Sequence, residues 1–101
     1  LEIFGPVVPI IEISNLDEAL RIANDSDYGL GASIFTADMK KAVKAAKALQ
    51  AGGVVINGSS YFSTVEMAFG GYKHSGIGRE GVSISFEDVT QIKTIVLKNI
   101  F

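Results

Sequence analysis

Three short segments of this 101-residue sequence carry residue types that take part in catalysis or ligand binding. Residues 76–81, GIGREG, fit the G-x-G-x-x-G pattern, whose glycines bring a helix N-terminus against a dinucleotide pyrophosphate. His74, the one histidine, directly precedes Ser75, and Glu87 directly precedes Asp88. The patterns to be tested are therefore a dinucleotide fingerprint, a Ser–His pair and a carboxylate pair.

None of these patterns forms a complete site by itself. The fingerprint requires a buried strand before it and an acidic ribose ligand about 20 residues after it. Residues 69–75 are not a hydrophobic strand, and the chain reaches its last residue, Phe101, where the acidic ligand is required. Adjacent Ser and His side chains rarely meet as nucleophile and base, and neighbouring carboxylates lie on different faces. We therefore predict no complete catalytic site and no metal site from the residues alone.

Composition excludes several further classes of function. The sequence has no Cys, which removes a disulfide framework, a Cys-based zinc site and a thiol nucleophile within these residues. Nine Lys and Arg against eleven Asp and Glu give a net charge of −2, which argues against a nucleic-acid partner. No apolar run reaches the roughly 18 residues of a membrane helix, and the N-terminus has no signal-type leader. We expect a cytoplasmic protein without a membrane partner.

Hydrophobic periodicity indicates elements that alternate in type. An apolar run over residues 7–13 predicts a strand, and Asn15 then caps a helix. Residues 31–35 predict a second strand, Asp38 opens a longer helix, and residues 54–57 predict a third strand. This order predicts an α/β fold in which crossover helices connect the strands of a parallel βαβαβ sheet.

The second half of the chain is less regular. Residues 58–81 are rich in Ser, Thr and Gly and have no persistent period, and long loops of this kind are usually functional or disordered. Residues 82–86 alternate like a strand, although Val82, Phe86 and Val89 also fit helical spacing. Residues 94–98 are rich in β-branched side chains and predict a terminal strand.

Three motifs together resemble the aldehyde dehydrogenase superfamily in their order and spacing. They are residues 2–6 (EIFGP), 24–30 (NDSDYGL) and 69–80 (FGGYKHSGIGRE). The resemblance covers nearly the whole chain and corresponds to the C-terminal fifth of a typical member. It implies that residues 1–80 are the later part of the catalytic domain. Residues 81–101 would then contribute a helix and an oligomerisation strand.

The resemblance also implies roles for single residues. Glu2 would hold the nicotinamide ribose of NAD or NADP, and Phe4 would pack near the nicotinamide. A carboxylate can accept hydrogen bonds from both hydroxyls of a ribose, and an aromatic face suits a planar ring. Phe69 would line the aldehyde pocket, while Ala68 replaces the proline that usually precedes this position. Residues 57–67 fall in the stretch that shapes substrate choice in relatives.

The family reaction oxidises an aldehyde to a carboxylic acid through a cysteine nucleophile and passes hydride to NAD(P). The family's cysteine, activating glutamate and oxyanion-stabilising asparagine all lie upstream of the E-I-F-G-P motif, so the resemblance assigns no catalytic residue to this chain. We expect the chain to be a C-terminal portion, inactive alone, that binds NAD(P) weakly and self-associates through its terminal strand.

Two further expectations concern the branch and the alternative function. Residues 57–60 together with residues 78–82 resemble the branch that contains lactaldehyde, succinate-semialdehyde and non-phosphorylating glyceraldehyde-3-phosphate dehydrogenases. The alternative to a partial enzyme is a non-catalytic α/β interaction module derived from the same fold. Such a module would use its exposed terminal strand to pair with another chain by edge addition.

Overall fold

The computed structural model describes residues 3–99, which form three helices and two small sheets. In chain order the elements are α1 (Leu16–Asn24), β1 (Tyr28–Gly29), β2 (Gly31–Ile34), α2 (Met39–Ala48), β3 (Gly53–Ile56), β4 (Tyr72–Lys73) and α3 (Val82–Asp88).

The middle of the fold is a β2-α2-β3 crossover. Strands β2 and β3 are parallel, with Gly31 opposite Gly53 and Ile34 opposite Ile56. The predicted parallel pairing is therefore confirmed for these two strands, which α2 connects as a crossover helix must. The second sheet is the antiparallel pair of β1 and β4.

The two longer helices begin at the residues that the sequence predicts. The Asn15 side chain accepts a hydrogen bond from the Glu18 amide at 2.9 Å, and the Glu18 carboxylate accepts one from the Ser14 amide at 2.8 Å. Asp38 accepts from the amides of Lys40 and Lys41 at 2.8 and 3.2 Å. Both caps satisfy amides that have no partner within their own helix.

The buried core is small and lies between the helices and β3. Leu20 of α1 and Ala42 and Ala45 of α2 are the fully buried apolar residues among residues 3–99. Alanines on α2 let it approach α1 and β3 closely. Met39 and Val43 also fit the helical stripe, but they remain 70% and 43% exposed. The buried face of α2 is therefore narrower than periodicity indicates.

The terminal segments depart from the sequence-based expectation. Residues 7–13 and 94–98 form no strand in the described part of the chain. A strand requires a hydrogen-bonded neighbour, and nothing among residues 3–99 pairs with either segment. The first strand of the predicted βαβαβ order and the oligomerisation strand are thus absent from this structure. The helix that the family resemblance implies within residues 81–101 is present as α3, Val82–Asp88.

These unpaired segments give the molecule an elongated shape. Its principal dimensions are 77 × 33 × 21 Å and its radius of gyration is 19.8 Å, against about 13 Å for a compact domain of this length. The region from α1 to α3 is consequently the part that can position a site.

Candidate functional site

A junction of three chain segments positions the predicted site. The Asn24 side chain, at the end of α1, accepts from the Gln50 amide and donates to the Ala48 carbonyl, both at 2.8 Å. It therefore joins the C-terminal ends of α1 and α2. Lys73 reaches the same place, where its ammonium donates to the carbonyls of Asn24 and Ser26 at 2.6 and 2.8 Å.

Lys73 also fixes the loop that carries the third sequence motif. Its backbone has a φ of 54°, a left-handed value that is uncommon outside glycine. A cation at a helix C-terminus complements the helix dipole and binds carbonyls that lack helical partners. Next to Lys73, the Ser75 hydroxyl accepts from the Gly29 amide at 2.9 Å. The NDSDYGL and FGGYKHS motifs are thus held against each other.

Close backbone packing brings the same loop against β3. A Cβ added at Gly52 would collide with the Gly70 carbonyl oxygen, so residue 52 must lack a side chain for the two segments to touch. This contact also fixes the position of Phe69, because Phe69 directly precedes Gly70. Its amide and carbonyl exchange hydrogen bonds with Glu80 at 2.8 and 2.7 Å, forming an isolated antiparallel bridge.

Phe69 lies on the wall of a cleft of about 540 Å³. Phe69 is 46% exposed, so the residue is only partly covered by its neighbours. The cleft is lined by Leu30, Gly31, residues 52–56, residues 60–63 and residues 67–70.

The cleft lining is mainly apolar and contains no charged side chain among the described residues. Its polar groups are the hydroxyls of Ser60, Tyr61 and Ser63, together with backbone amides and carbonyls. Binding sites for small molecules commonly combine apolar walls with a few polar groups. The arrangement can hold a small organic molecule, but among residues 3–99 it offers no acid or base within the cleft.

The predicted cofactor residues are not gathered at this cleft. Glu2 lies outside the described residues. Phe4 is 94% exposed and does not line the cleft that contains Phe69. An aromatic ring that is open on both faces fits a planar partner such as a nicotinamide. In this structure Phe4 and Phe69 therefore do not share one cleft.

The glycine segment does not have the geometry of a dinucleotide fingerprint. Gly76, Gly78 and Gly81 have φ values of 124°, 82° and 150°, a positive range that glycine adopts more readily than other residues. This segment follows the two-residue strand β4, which is antiparallel, whereas the fingerprint follows a buried parallel strand. Within the segment, the Arg79 guanidinium donates to the carbonyls of Gly71 and Gly78 at 3.1 and 2.6 Å. These hydrogen bonds hold the glycine segment against the loop that carries Phe69.

Phe69, to which the motif resemblance assigns a place in the substrate pocket, lies on the cleft wall, whereas no sequence pattern predicts the junction of Asn24 and Lys73. In the sequence, Asn24 and Lys73 are only members of the motifs over residues 24–30 and 69–80. The signal that was available is an Asn at the end of a predicted helix, where side-chain amides replace missing backbone partners. No local pattern predicts the role of Lys73, because its carbonyl partners lie 47 and 49 residues away along the chain.

Other site types find no support in the described part of the chain. No group of three or more potential metal ligands occurs among residues 3–99. The His74 ring packs edge-on against the Tyr28 ring, with the two ring centroids 6.1 Å apart. In the same range, no helix has the length and apolar character that crossing a membrane requires.

Comparison with known proteins identifies relatives of this chain. Residues 1–95 match the model of the aldehyde dehydrogenase family. The chain is 49% identical over 100 residues to a lactaldehyde dehydrogenase from Methanococcus maripaludis, which covers 99% of this chain. It spans only 22% of the length of that relative.

Solved structures agree with the sequence relatives. A glyceraldehyde-3-phosphate dehydrogenase from Methanocaldococcus jannaschii, complexed with NADP, is 51% identical with a TM-score of 0.74. The match covers 81% of this chain and 18% of that chain. A double mutant of betaine aldehyde dehydrogenase from Staphylococcus aureus, in complex with NAD+, is 37% identical with a TM-score of 0.83. That match covers all of this chain and 21% of the other. Related proteins thus bind either cofactor.

Proposed function

Because the chain belongs to the aldehyde dehydrogenase family, we propose that it supplies the C-terminal part of an NAD(P)-dependent enzyme that oxidises an aldehyde to a carboxylic acid. The observation that carries this proposal is the apolar cleft, on whose wall Phe69 lies. In this proposal residues 1–80 complete the catalytic domain and residues 81–101 contribute to assembly.

The residues of this chain would bind and orient the reactants. Phe69 would pack against the aldehyde and exclude water from one side of it, while residues 60–63, which also line the cleft, would help to set its shape. Glu2 would accept hydrogen bonds from the nicotinamide ribose, and Phe4 would stack on the nicotinamide. NAD(P), when bound, accepts the hydride that the oxidation releases.

The nucleophile must come from outside these residues. The sequence contains no Cys, and covalent aldehyde oxidation of the family type needs a thiol. The chain spans about a fifth of the length of its relatives, so the remaining four fifths of such an enzyme can provide the thiol. We therefore expect the 101 residues alone to be inactive and to bind NAD(P) weakly.

For the substrate, we propose a small hydroxyaldehyde. Relatives named lactaldehyde dehydrogenase and glyceraldehyde-3-phosphate dehydrogenase share about half of their aligned residues with this chain. The uncharged cleft with its Ser60, Tyr61 and Ser63 hydroxyls supports a small substrate that offers hydroxyl groups of its own. The phosphate of a phosphorylated substrate would have to be bound by residues outside this chain.

The test joins this chain to the upstream four fifths of the Methanococcus maripaludis lactaldehyde dehydrogenase. We expect the joined enzyme to reduce NAD(P) in the presence of lactaldehyde, and the isolated chain to show no reduction. Turnover by the isolated chain, or an inactive joined enzyme that is folded and binds NAD(P), would contradict the proposal.

Phe69→Ala in the joined enzyme tests the assigned role of the cleft. Loss of the ring should raise the KM for aldehyde about tenfold, as expected for about 1–2 kcal/mol of lost apolar contact. The KM for NAD(P) should remain within about twofold. Phe35→Ala is the matched control, because Phe35 is exposed and lies outside the cleft. An equal rise in the aldehyde KM of Phe35→Ala would show that Phe69 has no specific role in binding the aldehyde.

Self-association is the second proposal, and exposed apolar residues support it. Ile92, Ile95, Val96 and Leu97 are all at least 70% exposed, and residues 90–99 have no strand neighbour among residues 3–99. An unpaired segment of this composition can add to the sheet edge of another chain. A monomer that persists at rising concentration in sedimentation velocity would contradict this proposal, and also the non-catalytic interaction module.

A further inference from the structure

Asn57 occupies an unusual position at the end of β3. Its backbone has a φ of 56°, and its amide donates to the Ile34 carbonyl at 2.8 Å. Its side chain accepts from the Thr36 amide at 2.8 Å and donates to the Thr36 carbonyl at 3.0 Å. The side-chain amide therefore continues the β2–β3 pairing beyond the last backbone pair, Ile34 and Ile56.

The residue after Asn57 makes this side chain chemically vulnerable. Gly58 has no Cβ, so its backbone nitrogen can approach the Asn57 side-chain carbonyl more freely than that of any other residue. Attack by that nitrogen on Cγ forms a new C–N bond in a five-membered imide, and the side-chain nitrogen leaves as ammonia. Water then opens the ring and leaves either aspartate or isoaspartate. The reaction needs only water.

We propose that Asn57 is a site of spontaneous deamidation and that its two hydrogen bonds to Thr36 control the rate. While both bonds are made, the side-chain amide is held against Thr36, and Cγ cannot rotate onto the Gly58 nitrogen. The reaction must wait until the ends of β2 and β3 separate. Asn57 thus combines a reactive sequence with a fold that protects it.

Deamidation would change the structure that protected the residue. The new carboxylate has no N–H to donate to the Thr36 carbonyl, and it places an oxygen against that carbonyl oxygen. Isoaspartate would also add a methylene group to the backbone. Either product loosens the ends of β2 and β3 directly beside Ile56, which lines the cleft. The modification therefore irreversibly weakens one wall of the cleft, independently of what the cleft binds.

The first experiment measures deamidation of the 101-residue chain by peptide mass spectrometry. One sample is kept in native buffer and a second in guanidinium chloride at the same pH and temperature. We expect the native rate to be at least about tenfold lower, as opening two hydrogen bonds of ordinary strength requires. Equal rates in the two solvents, or no deamidation at Asn57 in guanidinium chloride, would overturn the proposal.

Two substitutions at Thr36 separate the backbone contact from general destabilisation. Thr36→Pro removes the amide that donates to Asn57. Thr36→Ala keeps that amide and removes the γ-methyl group and the hydroxyl, which accepts from the Asp38 amide at 3.1 Å. Native deamidation should accelerate at least fivefold in Thr36→Pro and stay within about twofold in Thr36→Ala. If Thr36→Ala accelerates as much as Thr36→Pro, the backbone contact does not control the rate.

The reaction product is tested with Asn57→Asp. Amide hydrogen exchange at Thr36 and residue 57 should become at least fivefold faster, because the donor to the Thr36 carbonyl is lost. Gln91→Glu is the matched control, since it adds the same charge at an exposed position far from β3 in sequence. Unchanged exchange in Asn57→Asp would show that the carboxylate is accommodated and would overturn the proposed structural effect.

Discussion

The central unit, residues 15–57, and the two terminal segments, residues 3–13 and 89–99, are similarly apolar but differ in what they contact. In the central unit, caps and parallel strands satisfy the backbone, and α2 packs on α1 and β3. Within residues 3–13 of the described chain, the one backbone hydrogen bond joins the Val7 amide to the Gly5 carbonyl at 2.9 Å.

This comparison shows that an apolar sequence indicates a segment suited to burial. It does not indicate which surface buries that segment. Val8 and Ile10 are 84% and 90% exposed, and Ile92 is fully exposed. Large apolar side chains rarely stay exposed over consecutive residues of a soluble protein unless another surface covers them. The terminal segments thus have sequences suited to contacts that residues 3–99 do not supply, which agrees with a chain spanning a fifth of its relatives.

The largest expected effect is on the contact between β3 and the Phe69 loop. Gly52→Ala places a Cβ on the Gly70 carbonyl oxygen, so backbone must shift, and we expect a loss of about 2–3 kcal/mol in the free energy of unfolding. Gly53→Ala is the matched control, because its Cβ would meet nothing within 4 Å. Urea unfolding measures both variants, and equal losses would show that the close contact is unimportant.

The second effect concerns the ammonium group in the junction. Lys73→Met removes two charged hydrogen bonds to Asn24 and Ser26, which should cost about 1–2 kcal/mol at this exposed position. Lys47→Met, on the exposed face of α2, should cost only a few tenths of a kcal/mol. Hydrogen exchange at residues 70–75 should rise in the first variant alone, and a similar rise in both would mean that charge loss in general is responsible.

A third, smaller effect belongs to the cap of α2. Asp38→Ala removes the acceptor for the amides of Lys40 and Lys41, and the expected loss is about 1 kcal/mol in the free energy of unfolding. The control is Asp25→Ala, which removes an exposed carboxylate at the C-terminal end of α1. Urea midpoints compare the two variants, and the prediction is wrong if Asp25→Ala lowers the midpoint as much.

The smallest effect on stability is expected in the terminal segment. Ile95 is 76% exposed, so Ile95→Ser should change the free energy of unfolding by less than about 0.5 kcal/mol. The same substitution should weaken self-association, which sedimentation velocity measures as a lower average mass at equal concentration. A clear fall in the urea midpoint would show that the segment packs within the chain, and the contrast with the central unit would disappear.

Local signals accounted for the parts of the fold that depend on neighbouring residues. Asn15 and Asp38 were identifiable as caps because a capping side chain acts within three residues of itself. The parallel pairing of β2 and β3 followed from the helix between them, since a crossover is required to bring parallel strands together. Residues 7–13 have an equally clear strand pattern, yet a pattern cannot supply the neighbouring strand.

The candidate site was accessible from sequence only through motif resemblance. Phe69 has no local feature that separates it from Phe62 or Phe86, and its place on the cleft depends on Gly52 lying against Gly70. The strand alternation over residues 82–86 was misleading, because α3 forms there. The loop before α3 is held by backbone contacts with Arg79, and side-chain periodicity does not record such contacts.

The Asn24–Lys73 junction has a consequence for the order in which the chain folds. The Asn24 side chain bonds to Ala48 and Gln50, which lie 24 and 26 positions further along the chain. The bond from the Lys73 ammonium to the Asn24 carbonyl instead closes a loop of 49 residues. Chain entropy opposes long closures more than short ones, and contacts between distant residues slow folding. We therefore expect α1 and α2 to dock before the Lys73 contacts form, and the wall of the cleft that carries Phe69 to assemble last.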